Sequence, residues 1–265
     1  MSLNPLLLVR PEHMSKYERQ FAAKHFQIEE SRMLCQNSLV VGRYSVLPCY
    51  EELDRDLRLI GSRLVNTVDE HDWISTFAYY QEVKGFTPET WDESNIHLCN
   101  HEGEFVVKGK RSSKKWDWKT RMFAESKAAA LKLGERLKED SDIAEQGIVY
   151  RRFVPLKTFE IGRNELPYTN EWRLFYLGTS LLEAGYYWSV GDCISQATIS
   201  PDCLRLAQHL ADIVARFATF YTLDLAETQA GDWILIEIND AQMATPTEHD
   251  LEKLYANLRE ELLRR

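Results

Sequence analysis

Apolar and polar residues recur with two different periods in the first third of the chain. Apolar runs at Leu6–Arg10, Ser38–Tyr44 and Ser62–Thr67 predict strands, whereas Ser15–Lys24 and residues 48–61 carry apolar side chains at helical spacing. Strands that alternate with helices are typical of a parallel sheet covered by helices. We therefore predict an α/β unit in this part of the chain.

Farther along the chain, strands and helices no longer alternate. Helices are predicted over Trp73–Lys84 and Arg121–Lys138, with short strands at Ile96–Cys99 and Glu104–Lys108 between them. Later segments rich in Val, Ile, Tyr, Phe and Trp predict further strands at Gly147–Pro155, Glu171–Tyr176, Ser180–Trp188, Thr222–Ala226 and Asp232–Ile238. Two more helices are predicted over Pro201–Tyr221 and Thr247–Arg265. The predicted order is an α/β unit followed by an α+β unit.

The composition is that of a globular, acidic protein. Hydrophobic residues make up 44% of the 265 positions, and 32 basic against 41 acidic residues give a net charge of −9. This charge disfavours a surface that coats nucleic acid or anionic membrane. The apolar runs fall short of the roughly 18–20 residues of a membrane span, and Leu6–Val9 is too short for a signal peptide. The five cysteines are widely spaced and form no Cys-x-x-Cys pair, so we expect reduced thiols in a cytoplasmic protein; they are Cys35, Cys49, Cys99, Cys193 and Cys203.

Two acidic side chains and one amide mark the last pair of predicted strands. Alternation along residues 233–240 places Glu237 and Asn239 on one face, with Ile236 and Ile238 on the other. On the preceding strand, Leu223 and Leu225 face the core and send Asp224 to the opposite side. If the strands form a hairpin near Gly231, Asp224 lies opposite Glu237. Oxygen ligands of this kind suit Mg²⁺, although a solvated acidic hairpin face has the same pattern.

A basic segment interrupts the acidic sequence. Between Lys108 and Arg121 there are seven basic residues and one acidic residue, a net charge of +6 over 14 residues. Lys108 ends an apolar strand, and Gly109 with Ser112 and Ser113 provides a flexible turn that bears hydroxyl groups. Such a loop can bind triphosphate oxygens through lysine charge and backbone N–H groups. A solvated basic loop and a nucleic-acid contact through Trp116 and Trp118 remain open alternatives.

These segments, taken in order, resemble the ATP-grasp superfamily over most of the chain. The similar segments are Phe105–Lys108 (a strand ending in a phosphate-binding lysine), Arg151–Val154 (the hinge strand), Glu171–Tyr176 (Asp-x-Arg-x-Phe-Val), and Leu223–Leu225 with Ile236–Asn239 (the metal-binding ending). Val65-Asn66 and Gly85–Thr90 are similar to the Ile-Asn and Gly-x-x-Pro-x-Thr segments of the superfamily. The resemblance implies a pre-ATP-grasp α/β domain over residues 1–90 and an ATP-grasp domain over 91–265. The nucleotide cleft would lie between the lobes 91–150 and 151–265.

Three departures from the superfamily pattern indicate a divergent branch of bacterial and phage type. Trp73 stands where many members carry an earlier nucleotide lysine. The glycine-rich lid is replaced by Gly109–Lys115, and the hinge glutamate by arginine. These changes affect the inference of substrate specificity more than that of nucleotide binding.

The resemblance also implies the cofactors, ATP and Mg²⁺, and a role for each candidate residue. Lys108 would neutralise the phosphates, Arg173 would stabilise the charge that develops on the transferred group, and Glu171 would orient Arg173. The expected metal ligands are Asp224, Glu237 and Asn239. The expected nucleotide contacts are Lys108, Lys110, Ser112, Ser113, Lys114, Arg152, Phe153 and Val154, with the adenine against the hinge backbone.

The implied activity is an ATP- and Mg²⁺-dependent ligase that activates a carboxylate as an acylphosphate for capture by an amine. The carboxylate and the amine would be small molecules or peptides, and neither nucleic acid nor membrane is an expected partner. The alternative is an ATP-binding assembly factor that binds a partner protein and has no ligase chemistry.

Overall fold

The first sheet is parallel, as the alternating pattern predicts. A computed structural model describes residues 3–46, 49–191 and 197–265, without the side chain of Asp142. The strands of this sheet are β1 (Asn4–Leu8), β2 (Ile28–Glu29), β3 (Ser38–Val41) and β4 (Arg63–Leu64), in the order β2-β1-β3-β4. Helix α1 (Lys16–His25) packs on the face that carries Leu7, and α2 (Tyr50–Leu59) packs on the face that carries Leu6. The predicted helix start at Pro48 lies outside the described residues.

The single helix predicted over Trp73–Lys84 is wrong. Thr67 and Glu70 form a capping box that begins α3 (Val68–Ser75) earlier than predicted. Phe77 then adopts a φ of +68°, a left-handed conformation that an α-helix cannot contain, and the chain resumes as the short helix α4 (Tyr80–Val83).

The second sheet is antiparallel and carries the basic segment. Its strands are β5 (Thr90–Asp92), β6 (Phe105–Gly109), β7 (Phe123–Ala124) and β8 (Ile148–Arg152), in the order β5-β8-β6-β7. The helices around it are α5 (Trp118–Arg121), α6 (Lys127–Leu137) and α7 (Ser141–Ala144). The helix predicted over Arg121–Lys138 is therefore interrupted, because Phe123 and Ala124 pair with β6 and Ser126 caps α6. Ile96–Leu98 is a 3₁₀ turn and not the predicted strand.

The third sheet is antiparallel and contains the acidic strand pair. After a hairpin of β9 (Thr158–Ile161) and β10 (Pro167–Thr169), its strands are β11 (Glu171–Leu177), β12 (Ser180–Tyr186), β13 (Phe220–Glu227) and β14 (Trp233–Asp240). They lie in the order β12-β11-β13-β14. Helix α8 (Pro201–Val214) packs on this sheet, and α9 (Leu251–Leu263) packs against α1 and β12. Helix α8 is shorter than predicted because Phe220 already belongs to β13.

Two further predictions concern cysteines and membranes. The described cysteines are free thiols, and Cys193 lies outside the described residues. In the described part of the chain, no helix is both long and apolar enough to cross a membrane. Besides Ile96–Leu98, the 3₁₀ turns are Arg32–Leu34, Lys115–Asp117 and Arg163–Glu165.

Candidate functional site

A β-bulge shapes the strand pair that carries the acidic residues. Asp224 on β13 pairs with Glu237 on β14, which confirms the predicted pairing, but the next pair is Leu225 with Leu235. The extra residue on β14 is Ile236, which lines a cleft, whereas Ile238 lies in the core. The prediction that these two isoleucines share a face is therefore wrong, because the bulge shifts the alternation by one residue.

Arg173 and Asp224 form a buried, two-pronged ion pair across neighbouring strands. The residues are register partners on β11 and β13. Arg173 donates from Nε to Asp224 Oδ1 (2.8 Å) and from Nη2 to Asp224 Oδ2 (2.7 Å), and its Nη1 donates to the carbonyl of Thr245 (2.9 Å). Asp224, and not the predicted Glu171, is therefore the carboxylate that orients Arg173.

Lys108 connects the second sheet to the third. Its ammonium, at the end of β6, donates to Glu237 Oε1 on β14. Burial alone would raise the pKa of the Glu237 carboxyl, but the charges of Lys108, Lys115 and Arg173 outweigh it and hold that pKa below its ordinary value. Within the described chain, Glu237 Oε2 has no hydrogen-bond partner.

The cleft between these two sheets has an apolar compartment. Its wall includes Ile236 and the backbone segment from Arg152 to Val154, together with further apolar residues: Val106, Met122, Trp118, Leu166, Ile234 and Trp188. The N–H of Phe153 donates to the carbonyl of Glu104 (2.9 Å). In the described residues, the N–H of Val154 finds no acceptor, so it is available to a bound molecule.

A polar compartment adjoins the apolar one. The two share four lining residues, Ser113, Lys115, Tyr187 and Glu237, and so form one continuous cleft. The polar wall also includes Asn239 and Arg173 from the third sheet, Lys110 and Arg111 from the basic segment, and His71 from α3. Cationic and oxygen-bearing side chains therefore meet at the junction of the compartments.

The basic segment is divided between the cleft and the surface. Of the residues predicted to bind phosphate, Lys108, Lys110 and Ser113 line the cleft. Ser112 instead bonds to Gln146, and Lys114 pairs with Asp140 (3.0 Å). Of the two tryptophans considered for base stacking, Trp118 lines the apolar compartment and Trp116 is exposed.

Lys115 lies in the predicted lid, and the structure places it at the centre of the cleft. Its ammonium contacts the Tyr187 hydroxyl and lies 4.2 Å from the centroid of the Tyr187 ring and 5.4 Å from that of Trp188. Burial lowers the pKa of Lys115, but the neighbouring Tyr187 and Glu171 outweigh burial and raise it. The lid is thus attached to the third sheet at this point.

Two candidate residues escape the sequence analysis. Arg151 is buried in the cleft wall, where it donates to Thr90 Oγ1 (3.2 Å) and to the carbonyl of Ile236. Burial lowers the pKa of its guanidinium. The sequence signal was the pair Arg151-Arg152, because alternation along a strand turns one of two adjacent residues inward. Trp73, at the expected lysine position, stacks on Phe217 with the ring centroids 4.9 Å apart.

Glu171 is a second carboxylate in the apolar compartment. It is buried, and Thr169 Oγ1 lies 3.3 Å from its Oε2. Burial raises the pKa of the Glu171 carboxyl to about 7, against the opposing charge of Lys115. A carboxyl with this pKa can exchange a proton near neutral pH.

The oxygen atoms around Glu237 fit a Mg²⁺ ion. Glu237, Asp224 and Asn239 supply two carboxylates and one amide carbonyl, which is the oxygen chemistry that Mg²⁺ prefers. Asp224 Oδ2 already accepts bonds from Arg173 (2.7 Å) and Asn239 (3.2 Å), so the capacity left for a metal resides in Asp224 Oδ1, Glu237 and the Asn239 carbonyl. Elsewhere, the described side chains form no cluster of three or more His, Cys, Asp or Glu suited to a metal.

A family model described as an ATP-grasp domain, the third family of its clade, matches residues 95–258, which is more than half of the chain. The chain belongs to this ATP-grasp family. The predicted superfamily and the predicted ATP-grasp architecture are thereby confirmed. None of the curated proteins compared with the chain matches its sequence.

Solved structures share the fold of this ATP-grasp protein along the whole chain. D-cycloserine synthetase DcsG superposes with a TM-score of 0.65 at 12% identity, over 97% of this chain and 99% of that one. A RimK domain ATP-grasp protein from Sphaerobacter thermophilus gives 0.58 at 14% identity, over 98% and 99%. D-alanyl-alanine synthetase A from Vibrio cholerae gives 0.57 at 11% identity, over 100% and 99%. At such identities the likeness concerns the fold alone.

Proposed function

We propose that this ATP-grasp protein is an ATP- and Mg²⁺-dependent ligase that joins a carboxylate to an amine. The observation that carries the proposal is the junction of the two compartments, where Lys108, Arg173 and Lys115 surround Glu237 and Asp224. A triphosphate needs cations, and the divalent ion that accompanies it needs oxygen ligands. Both occur here on facing walls of one cleft.

The proposed orientation of ATP follows from the polarity of the cleft. The adenine would occupy the apolar compartment, with the backbone from Arg152 to Val154 along its edge and the free N–H of Val154 as a donor. The phosphates would extend towards Lys108, Lys110 and Ser113. Glu237, Asp224 and Asn239 would hold Mg²⁺, which neutralises phosphate charge and polarises the transferred group when it is bound.

The proposed reaction takes place at the polar end of the cleft. A substrate carboxylate attacks the γ-phosphorus and gives an acylphosphate and ADP, and an amine then displaces phosphate from the acyl carbon. Arg173 is held rigidly by Asp224 and the Thr245 carbonyl, so its charge is already oriented for the transferred group. The name D-alanyl-alanine synthetase, carried by a structural neighbour, supports a reaction of this class.

Calorimetric titration with a non-hydrolysable ATP analogue, with and without Mg²⁺, tests the binding step. We expect Mg²⁺-dependent binding to the wild type, and loss of that dependence in Glu237→Gln with an unchanged circular dichroism spectrum. Glu260→Gln, an exposed carboxylate on α9, is the matched control and should bind like the wild type.

The ligase step is tested by ADP release in the presence of pooled amino acids and dipeptides. Release that depends on both a carboxylate and an amine supports a ligase, whereas nucleotide binding without turnover favours the assembly factor. Binding to Glu237→Gln with full Mg²⁺ dependence would show that the metal assignment is wrong. A wild type that binds no nucleotide contradicts the whole proposal.

A further inference from the structure

His71 reaches the polar compartment from outside the two sheets that form the cleft. It lies on α3, and 4% of its surface is exposed. Its ring stacks on Tyr50, with centroids 4.0 Å apart and planes 13° from parallel. On its edge, Nδ1 lies 2.8 Å from Oδ2 of Asp240, the last residue of β14. Two contacts therefore fix both the plane and the rotation of the imidazole.

The surroundings of Asp240 determine which ring nitrogen carries the proton. Asp240 Oδ1 accepts hydrogen bonds from Asn66 Nδ2 (3.0 Å) and from the backbone N–H of Gln242 (2.9 Å). The Gln242 side-chain amide lies 3.3 Å from both carboxylate oxygens. A carboxylate that accepts from amides on every side also accepts from the imidazole, so we assign the proton to Nδ1. In the neutral ring, Nε2 then carries a lone pair.

This lone pair has no protein partner. In the described chain, no hydrogen bond to Nε2 of His71 is found, although the residue is almost completely buried. His71 lines the polar compartment together with Asn239 and Lys110. An acceptor in that position, within a cleft otherwise rich in cationic donors, suits a ligand group that has an N–H to give.

We infer that His71, positioned by Asp240, binds the amine substrate and removes its proton; the inference rests on the ligase function proposed above. As the amine nitrogen attacks the acyl carbon, the C–N bond forms and the proton on that nitrogen moves to His71 Nε2. The bond from the acyl carbon to the phosphate oxygen then breaks, and phosphate leaves with the bonding electrons. The proton passes from Nε2 to solvent, which returns the ring to its starting state.

Substitution of His71 by Asn separates the two half-reactions. The Asn amide can still donate to Asp240, as Nδ1 does, but it offers nothing in the position of Nε2. The probes are pooled L- and D-amino acids with ATP and Mg²⁺, which report dipeptide formation by mass spectrometry. The same pool with hydroxylamine reports acylphosphate as hydroxamate, since hydroxylamine is an unprotonated nucleophile at neutral pH and needs no base. His209→Asn, on the exposed side of α8, is the control.

For His71→Asn we expect dipeptide formation to fall by about 10²–10⁴-fold, the usual contribution of a general base, with hydroxamate formation within about threefold of wild type. Equal loss of both products, or retention of both, overturns the inference. A wild type that gives neither product contradicts the proposed ligase function itself. Independently of turnover, ¹⁵N NMR of the His71 ring should show Nδ1 protonated, and a ring protonated at Nε2 alone also overturns the inference.

Discussion

Arg43 and Arg173 are both almost completely buried, with 2% and 7% of their surfaces exposed, and each is bonded to a buried carboxylate. Arg43 donates to Glu18 and to three backbone carbonyls, those of Ala241, Gln242 and Ala244. The hydroxyls of Tyr44 and Tyr255 complete its surroundings. Arg173 has a similar number of partners, but one side of it faces the cleft.

The comparison separates a structural ion pair from a candidate site. Glu18 receives bonds from Arg43, Tyr44 and Tyr255, so its carboxylate is saturated inside the core. In the cleft, Glu237 has one oxygen without a partner within the described chain, and Glu171 has a single hydroxyl beside it. Burial and charge are common to both clusters. Only the second retains unused hydrogen-bonding capacity beside a cavity.

The Arg43 cluster also supports the cleft indirectly. The three carbonyls that bind Arg43 belong to residues 241–244, and the next residue, Thr245, accepts a bond from Arg173. Arg43 therefore holds the segment that positions Arg173. It does so from the first sheet, since it follows β3 directly.

The largest expected effect on stability follows the removal of Arg43. Arg43→Met leaves the Glu18 carboxylate buried without a cation, and such a loss costs about 3–5 kcal/mol of unfolding free energy. Urea denaturation followed by circular dichroism measures this loss. Arg58→Met, on the exposed side of α2, should cause a much smaller change. Equal losses in the two variants would contradict the structural role of the Arg43 cluster.

An intermediate effect is expected at Glu171, and it depends on pH. With a folded pKa of about 7, this carboxyl keeps its proton while the unfolded chain has already lost it above pH about 4.5. The stability it contributes is complete below pH about 4.5 and is lost as the pH rises to 7. The difference in unfolding free energy between wild type and Glu171→Gln should therefore change by at most about 3 kcal/mol between pH 4.5 and 8, in favour of the variant.

Denaturant unfolding of both proteins across this pH range is the measurement. Two parallel stability curves would mean that Glu171 ionises as readily in the folded chain as in the unfolded one. The comparison with Glu18 would then lose its basis, because the Glu171 carboxyl would not be destabilised by its poor supply of donors.

The smallest effect is expected on the outer part of the basic segment. Lys119 pairs with Glu165, and both side chains are more than half exposed, at 60% and 63%. Exposed ion pairs contribute about 0–1 kcal/mol, so Lys119→Ala should change stability and nucleotide affinity little. Lys115→Ala, in the cleft, should weaken binding of the ATP analogue in the same calorimetric titration. Equal affinity in the two variants would contradict the division of the segment into cleft and surface parts.

Part of the candidate site was accessible to sequence analysis because it depends on local alternation. Asp224, Glu237 and Asn239 are set two residues apart or across one hairpin, and their strand pairing was predicted. Lys108 ends an apolar strand, and Arg173 alternates with Leu174. The bulge at Ile236 was not predicted, since it changes a pairing partner and leaves the residue pattern unchanged.

Other members of the site depend on contacts between distant elements. Lys115 and Lys114 are adjacent in the same basic run, yet one lies against Tyr187 and the other pairs with Asp140. His71 comes 169 positions before its partner Asp240. Composition gives no sign of either contact, and the helix that carries His71 was itself predicted with the wrong bounds.

The sequence by itself determined the order of strands and helices, the parallel first sheet, and the concentration of positive charge in an acidic chain, because each depends on neighbours along the chain. It also carried the motifs by which the ATP-grasp family was identified. The tertiary structure decided which charges meet. Burial of the apolar faces brings the second and third sheets together, and only then do Lys108, Glu237, Lys115 and Arg151 share one cleft. A charge buried in a core and a charge facing a cleft look alike in sequence, since the cavity that distinguishes them is formed by residues far apart along the chain.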